Sequence, residues 1–185
     1  MRTFPASKWK EPQNGVDLYD VRRRPWYTQG SSSPKDMFIL IDTSGSVHGQ
    51  SLQLMKVAVK SILDTLGEND FVMIANFSTS KPDIGVQPVG CFGTFVQANY
   101  RNKQILSHDV DNLMAQKESS FSAAFEYAFQ QFDKFENTSQ EGVGARCNRI
   151  IMLLTDGGTD TAEDIFNKYN WKRPKSVSTY KSYPV

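Results

Sequence analysis

Three short apolar runs constrain this chain more than any other feature. Met37-Phe38-Ile39-Leu40-Ile41, Phe71-Val72-Met73-Ile74-Ala75-Asn76-Phe77 and Ile150-Ile151-Met152-Leu153-Leu154 offer almost nothing polar to water. A strand with one solvated face alternates apolar and polar side chains, so these runs predict strands buried on both faces. Such burial requires helices above and below the sheet, and the intervening sequence supplies them. Leu54, Ala58, Ile62 and Leu66 recur every four residues, with Met55, Val59 and Leu63 alongside. That spacing predicts an amphipathic helix over 50–66, with Gly67 as its C-terminal cap. Helical spacing returns near 101–114, 122–135 and 161–169, whereas 78–99 holds Gly and Pro without a period and reads as loop or short irregular strands. Apolar strands alternating with amphipathic helices predict an α/β fold, doubly wound about a mostly parallel sheet.

The chain has 185 residues, enough for one domain with a flanking arm. Lys plus Arg is 21 against 20 for Asp plus Glu, so there is no basic excess for gripping nucleic acid. No apolar run approaches the ~20 residues that span a bilayer, so direct membrane insertion is not expected. Met1-Arg2-Thr3-Phe4-Pro5 lacks the apolar core of a signal peptide. Residues 1–35 are broken by Pro5, Pro12-Gln13-Asn14-Gly15, Pro25 and Gly30-Ser31-Ser32-Ser33-Pro34, and read as an extended arm with turns. Within it, Val16–Val21 alternates as an edge strand would. Arg22-Arg23-Arg24-Pro25-Trp26-Tyr27 follows. It has two readings: a solvated basic turn whose rings cover a neighbour, or an anion site using guanidinium forks.

Two of the three apolar runs end in an aspartate set among hydroxyls and glycine: Asp42-Thr43-Ser44-Gly45-Ser46 and Thr155-Asp156-Gly157-Gly158. Ligands of open parallel sheets bind outside the carboxyl ends of the strands, so both aspartates fall on the expected edge. Asp42, Ser44 and Ser46 alternate, and a loop can curl them toward one point. One carboxylate and two hydroxyls are hard oxygen donors, which suit Mg²⁺ or Ca²⁺ and disfavour zinc or copper. The bland alternative is a helix-capping turn. An enzyme reading, a Mg²⁺-dependent phosphohydrolase using Asp42, requires a general acid two residues on, where Ser44 stands. The GxxxxGK[ST] and GxSxG motifs are both lacking. His48 and His108 do not read as a catalytic pair, so a non-enzymatic role is expected.

At Asp42–Ser46 and Thr155–Gly158 the sequence resembles the metal-ion-dependent adhesion site of von Willebrand factor A domains. A narrower resemblance is carried by Leu18–Tyr27, Ser33–Asp36, Phe95–Asn99, Cys147–Gly158 and Ile165–Asn170. These segments resemble the alpha-2/delta auxiliary subunits of voltage-gated calcium channels. The resemblance implies that Asp42, Ser44, Ser46 and Asp156 are metal ligands. It assigns the remaining hydroxyl ligand to Ser119 of Ser119-Ser120, where the family has Thr followed by Asp. It also implies Ca²⁺ or Mg²⁺ as the ion, and docking to the pore-forming channel subunit at the extracellular face of the plasma membrane. Surface delivery and tuning of the calcium current follow from that docking. A generic adhesion-type A domain with another protein ligand is the alternative. By the same resemblance, 1–35 is an arm belonging to a Cache-type region, 36–171 an incomplete A domain lacking its last strands, and 172–185 a divergent tail. Val177, Thr179 and Tyr180 are a thin strand remnant in that tail. Arg24 falls in the run that contacts gabapentin-class amino acids in some members, in a pocket formed mostly beyond this chain. In a secreted parent, Cys91 and Cys147 either pair or remain two separate buried thiols. Asn76-Phe77-Ser78 and Asn137-Thr138-Ser139 are glycosylation sequons. Asn137, expected in a polar loop, is the favoured acceptor, and Asn76 is expected to stay unmodified.

Overall fold

The computed structural model describes residues 33–78, 85–115, 120–138, 143–145, 148–157, 161–170 and 181–183. The chain divides into two compact units, Met1–Ser33 and Pro34–Val185, and every element below belongs to the second. In chain order these are β1 (Lys35–Asp42), α1 (Gln50–Thr65), β2 (Phe71–Phe77), β3 (Val86–Pro88), β4 (Val96–Gln97), α2 (Tyr100–Asp111), α3 (Phe121–Thr138), β5 (Asn148–Leu154), α4 (Glu163–Asn170) and β6 (Lys181–Tyr183). The sheet runs β3-β2-β1-β5-β6, with β4 also on β2. Strands β2, β1, β5 and β6 are parallel, and β3 and β4 close the β2 edge antiparallel.

The period of two along β1 divides the core. Ile39 and Ile41 join Val72 and Ile74 of β2 beneath Met55, Val59 and Leu63 of α1 and Leu106 of α2. Phe38 and Leu40 point the other way, with Met73 and Ala75, into the phenylalanine-rich face of α3. Helices on both faces are what the unbroken apolar runs called for. The α3 side is an aromatic lattice: Phe95 and Phe132 have ring centroids 4.8 Å apart, and Phe129 stacks on Tyr169 of α4 at 4.6 Å. Each such ring fully buried stabilises the fold by roughly 1.5–3 kcal/mol.

Several local expectations need correcting. Gly67 is not the left-handed cap of α1: the helix ends at Thr65, and its cap is Leu66, which is extended at ψ 138° and donates its N–H to the Leu63 carbonyl. The Gly67 N–H instead donates to Asp70 Oδ2 at 2.8 Å. Buried Asp70 also accepts from the Lys35 N–H and Nζ, which ties the start of β1 to the turn before β2. Asn137 is exposed as expected, but it sits in the last turn of α3 and not in a loop. The tail contributes a parallel strand beside β5 at Lys181–Tyr183. Val177, Thr179 and Tyr180, where a strand remnant was expected, lie outside the described residues.

Candidate metal centre

The carboxyl end of β1 delivers Asp42 at the edge of the sheet with only 1% of its surface exposed. The chain then leaves β1 in a tight turn. Thr43 anchors that turn to β2, its N–H and hydroxyl both donating to the Phe77 carbonyl at 3.2 Å. The Ser44 N–H folds back onto Asp42 Oδ1 at 2.9 Å, and the Val47 N–H closes on the Ser44 carbonyl at 3.1 Å. This curl brings Ser44 Oγ and Ser46 Oγ to 2.9 Å from each other. The Ser46 hydroxyl donates across to Asp156 Oδ1 at 3.2 Å, from the loop after β5. Each hydroxyl has one proton, so Ser44 must be the donor to Ser46. Gly49, at φ +64°, then turns the chain into α1 without a side-chain cap. The helix-capping alternative for this turn therefore fails: its hydroxyls point at one another and at the far aspartate.

The arrangement joins Asp42, Ser44, Ser46 and Asp156, the four expected residues that fall within the described chain. Ser119 lies outside it. Its neighbour Ser120 acts as a helix cap, its Oγ accepting from the Ala123 N–H at 3.5 Å at the start of α3. Arg24 and Cys147 are also outside the described residues. Cys91 is a free thiol and exposed, so it is not the buried thiol of one alternative. His108 lies well out in solvent on α2, its side chain 78% exposed.

One residue of the cluster was missed. Thr155 Oγ1 sits 2.8 Å from Asp42 Oδ2, 2.6 Å from the Gly157 carbonyl and 3.2 Å from the Gly157 N–H, which donates to it. Its single proton has two acceptors competing for it. The β1–β5 register ends at Ile41 opposite Leu154, so Thr155 stands beside Asp42 one residue past the ladder.

Among the described residues, the donors to Asp42 and Asp156 are a backbone N–H and hydroxyls, all uncharged, and no ion pair reaches either. A buried carboxylate without a positive neighbour is costly to keep ionised. Among the described residues, no three His, Cys, Asp or Glu side chains are grouped so that they could hold a metal ion by themselves. The cluster is two carboxylates joined through the Ser44 backbone N–H and the hydroxyls of Ser44 and Ser46, an oxygen-rich set with excess negative charge.

Residues 36–180 match the von Willebrand factor type A domain. The chain belongs to that family. Within it, the chain is 48% identical over 170 residues to human voltage-dependent calcium channel subunit alpha-2/delta-2, covering 92% of this chain and 14% of that protein. It is 41% identical to rat subunit alpha-2/delta-3 and 40% to human subunit alpha-2/delta-4, in each case over 97% of this chain. The chain spans 16% of the first of these and 15% of the second, so it corresponds to about one-seventh of its relatives' length. Among solved structures, a von Willebrand factor type A protein from Catenulispora acidiphila aligns at TM-score 0.61 with 22% identity, over 82% of this chain and 32% of that one. Proximal thread matrix protein 1 of the mussel byssus aligns at 0.58 with 15% identity, over 80% of this chain and 37% of that one. These two likenesses establish the fold, an α/β A domain.

Proposed function

We propose that this A domain is a cation-dependent docking module of a voltage-gated calcium channel auxiliary subunit, and not an enzyme. Its ligands are Asp42, Ser44, Ser46 and Asp156, joined by Ser119. The observation that carries the reading is the buried Asp42 carboxylate, joined through the Ser44 N–H and a pair of serine hydroxyls to a second carboxylate, with only neutral donors around both. The oxygen spacings support it. Values of 2.9 and 3.2 Å bracket the ~3.0 Å that separates neighbouring oxygens held about 2.1 Å from Mg²⁺, and Ca²⁺ tolerates the same range. Asp42 and Thr155 lie at the base, where burial and the β1–β5 register fix them. Ser46 and Asp156 are exposed at the rim, where a partner would meet them.

When bound, Mg²⁺ or Ca²⁺ supplies an electrophilic point that accepts a partner's carboxylate. The hydroxyls of Ser44 and Ser46 contribute oxygens without adding negative charge, so the rim does not repel an acidic partner. The partner proposed is the pore-forming subunit of a voltage-gated calcium channel, met at the extracellular face of the plasma membrane. Raised surface expression and altered calcium current would follow from that docking. We assign this role to 36–171, with 1–35 as an arm of a Cache-type region and 172–185 as a tail. Relatives that are channel subunits favour this partner over the generic adhesion ligand.

Co-purification with the pore-forming subunit tests the reading. Capture should require Mg²⁺ or Ca²⁺, fall on chelation and be lost in Ser44→Ala, Ser46→Ala. Capture indifferent to chelator would overturn it.

A further inference from the structure

The two halves of the candidate centre come from different strands. Asp42 ends β1 and leads into the turn with Ser44 and Ser46, whereas Asp156 stands in the loop after β5. The Ser46 hydroxyl joins them at the exposed rim, donating to Asp156 Oδ1 at 3.2 Å. Thr155 joins them at the base, its Oγ1 2.8 Å from Asp42 Oδ2 across 113 positions of sequence. Its place is set by β5: the ladder ends with Ile41 opposite Leu154, and a β-branched side chain just beyond it has few rotamers open to it.

That hydroxyl acts on both carboxylates. The terminal torsion of an aspartate is broad and roughly two-fold, so the carboxylate plane takes its direction from its hydrogen bonds. Asp42 has one on each oxygen: the Ser44 N–H donates to Oδ1 at 2.9 Å, and the Thr155 hydroxyl faces Oδ2. Each oxygen keeps a second lone-pair site free. The same Thr155 Oγ1 closes the turn around Asp156. It accepts from the Gly157 N–H at 3.2 Å and lies 2.6 Å from the Gly157 carbonyl. Asp156 is the residue between them, so one atom orients the first carboxylate and ties down the backbone of the second.

We propose that Thr155 is a positioning residue of the metal centre. Its hydroxyl sets the plane of Asp42 and fastens the Asp156 turn to it, so that both carboxylates stand ready for Mg²⁺ or Ca²⁺ without rearrangement. This rests on the cation-dependent reading proposed above. A hydroxyl that merely satisfied a buried carboxylate would behave differently. Its removal would leave Asp42 Oδ2 without a donor, and a cation would relieve that deficit. Stability in chelator would then fall while cation affinity held or rose. A positioning hydroxyl has the opposite signature, because its removal frees Asp42 to turn and loosens the Asp156 turn, and affinity falls.

Isothermal titration calorimetry of the full chain with Mg²⁺ and with Ca²⁺, well below the unfolding midpoint, tells these apart. Thr155→Val keeps the β-branched shape at the strand end and removes the hydroxyl. It should weaken cation binding by about 10–100-fold, the usual loss when a group that orients a metal ligand is removed. Thr155→Ser, which restores the hydroxyl, should recover most of that loss. Thr155→Ala, which sets no methyl against the carboxylate, should weaken binding as valine does, and it decides the matter if the valine variant does not fold. Affinity unchanged or tighter in the variants without the hydroxyl, whatever their midpoint in chelator, overturns the positioning role and leaves the docking reading standing. Failure of serine to restore binding overturns it too. A parent chain that binds neither cation overturns the docking reading, and this role with it.

Discussion

Asp42→Asn should separate the proposed metal role of Asp42 from its structural role, because the asparagine amide fits the hydrogen bonds already present. Its oxygen accepts from the Ser44 N–H in place of Oδ1, and its NH₂ donates to Thr155 Oγ1 in place of Oδ2 accepting. The Thr155 proton, freed from Asp42, goes to the Gly157 carbonyl 2.6 Å away. Each hydrogen bond now made on Asp42 keeps a counterpart, one amide N–H is added without a partner, and a buried carboxylate is neutralised. In chelator the variant should therefore stay within about 1–3 kcal/mol of the parent. Cation should then widen the gap. At a hundredfold excess over its dissociation constant, an ion bound only by the folded state adds ~2.7 kcal/mol. At roughly 2–4 °C per kcal/mol for a chain of this size, the parent's midpoint rises by about 5–11 °C. If loss of the carboxylate weakens binding a hundredfold, the same concentration gives the variant only ~0.4 kcal/mol, or about 1 °C. Thermal unfolding followed by circular dichroism, in chelator and in Mg²⁺ or Ca²⁺, measures all four midpoints. A parent that does not respond would refute the reasoning, as would a variant that responds equally or is equally destabilised in both buffers.

Two further changes probe the frame around the site. Gly144 has φ +93°, and a Cβ there would lie 2.9 Å from Phe135 Cε1, a ring held by Phe71 and Phe95 and unable to retreat. Gly144→Ala should cost about 2–4 kcal/mol in strain and overpacking, read as a lower urea midpoint; an unchanged midpoint contradicts it. Asp111, at the end of α2, is held below its ordinary carboxyl value of 3.8, chiefly by its hydrogen bond from Lys60 of α1. A depressed carboxyl stabilises the fold above that ordinary value, and the contribution disappears as pH falls through the folded one. The parent should thus lose slightly more stability than Asp111→Asn on acidification below 3.8, by a margin that shrinks in high salt because the pair is exposed. A margin insensitive to salt would refute that origin.

How far the fold could be read depended on whether each element's signal was local. Strand β2 occupies 71–77 as expected, because burial on both faces is written into its own composition. Helix α1 ends one residue short of the expected Leu66, since its apolar stripe sets the face and not the stop. Strands β3 and β4 offered almost nothing. Each has one valine and a glutamine, and what makes them strands is the open edge of β2, whose Ala75–Phe77 and Phe71–Val72 pair with β3 and β4 in turn. A pairing contributed by the partner leaves no period in the segment that accepts it. Asn137 was mistaken for loop because Glu136, Asn137 and Thr138 look polar all round, yet the face from Phe121 to Phe135 carries the helix past them.

The candidate site divides the same way. Asp42, Ser44 and Ser46 are spaced so that one turn gathers them, and the apolar run before them announces the strand end, so a local reading suffices. Thr155 had no such signal, although it stood in the quoted Thr-Asp-Gly string. Its contact with Asp42 spans 113 positions of sequence and exists because Ile41 pairs with Leu154. A one-residue slip of β5 would reverse the faces of Ile151 and Leu153 and carry Thr155 away from Asp42 together. The packing of Ile151 against α3 and the position of Thr155 at the base of the site are therefore one constraint. The core of β5 sets the geometry of the site, which is why a residue at its base can be decisive and still carry no mark in its own neighbourhood.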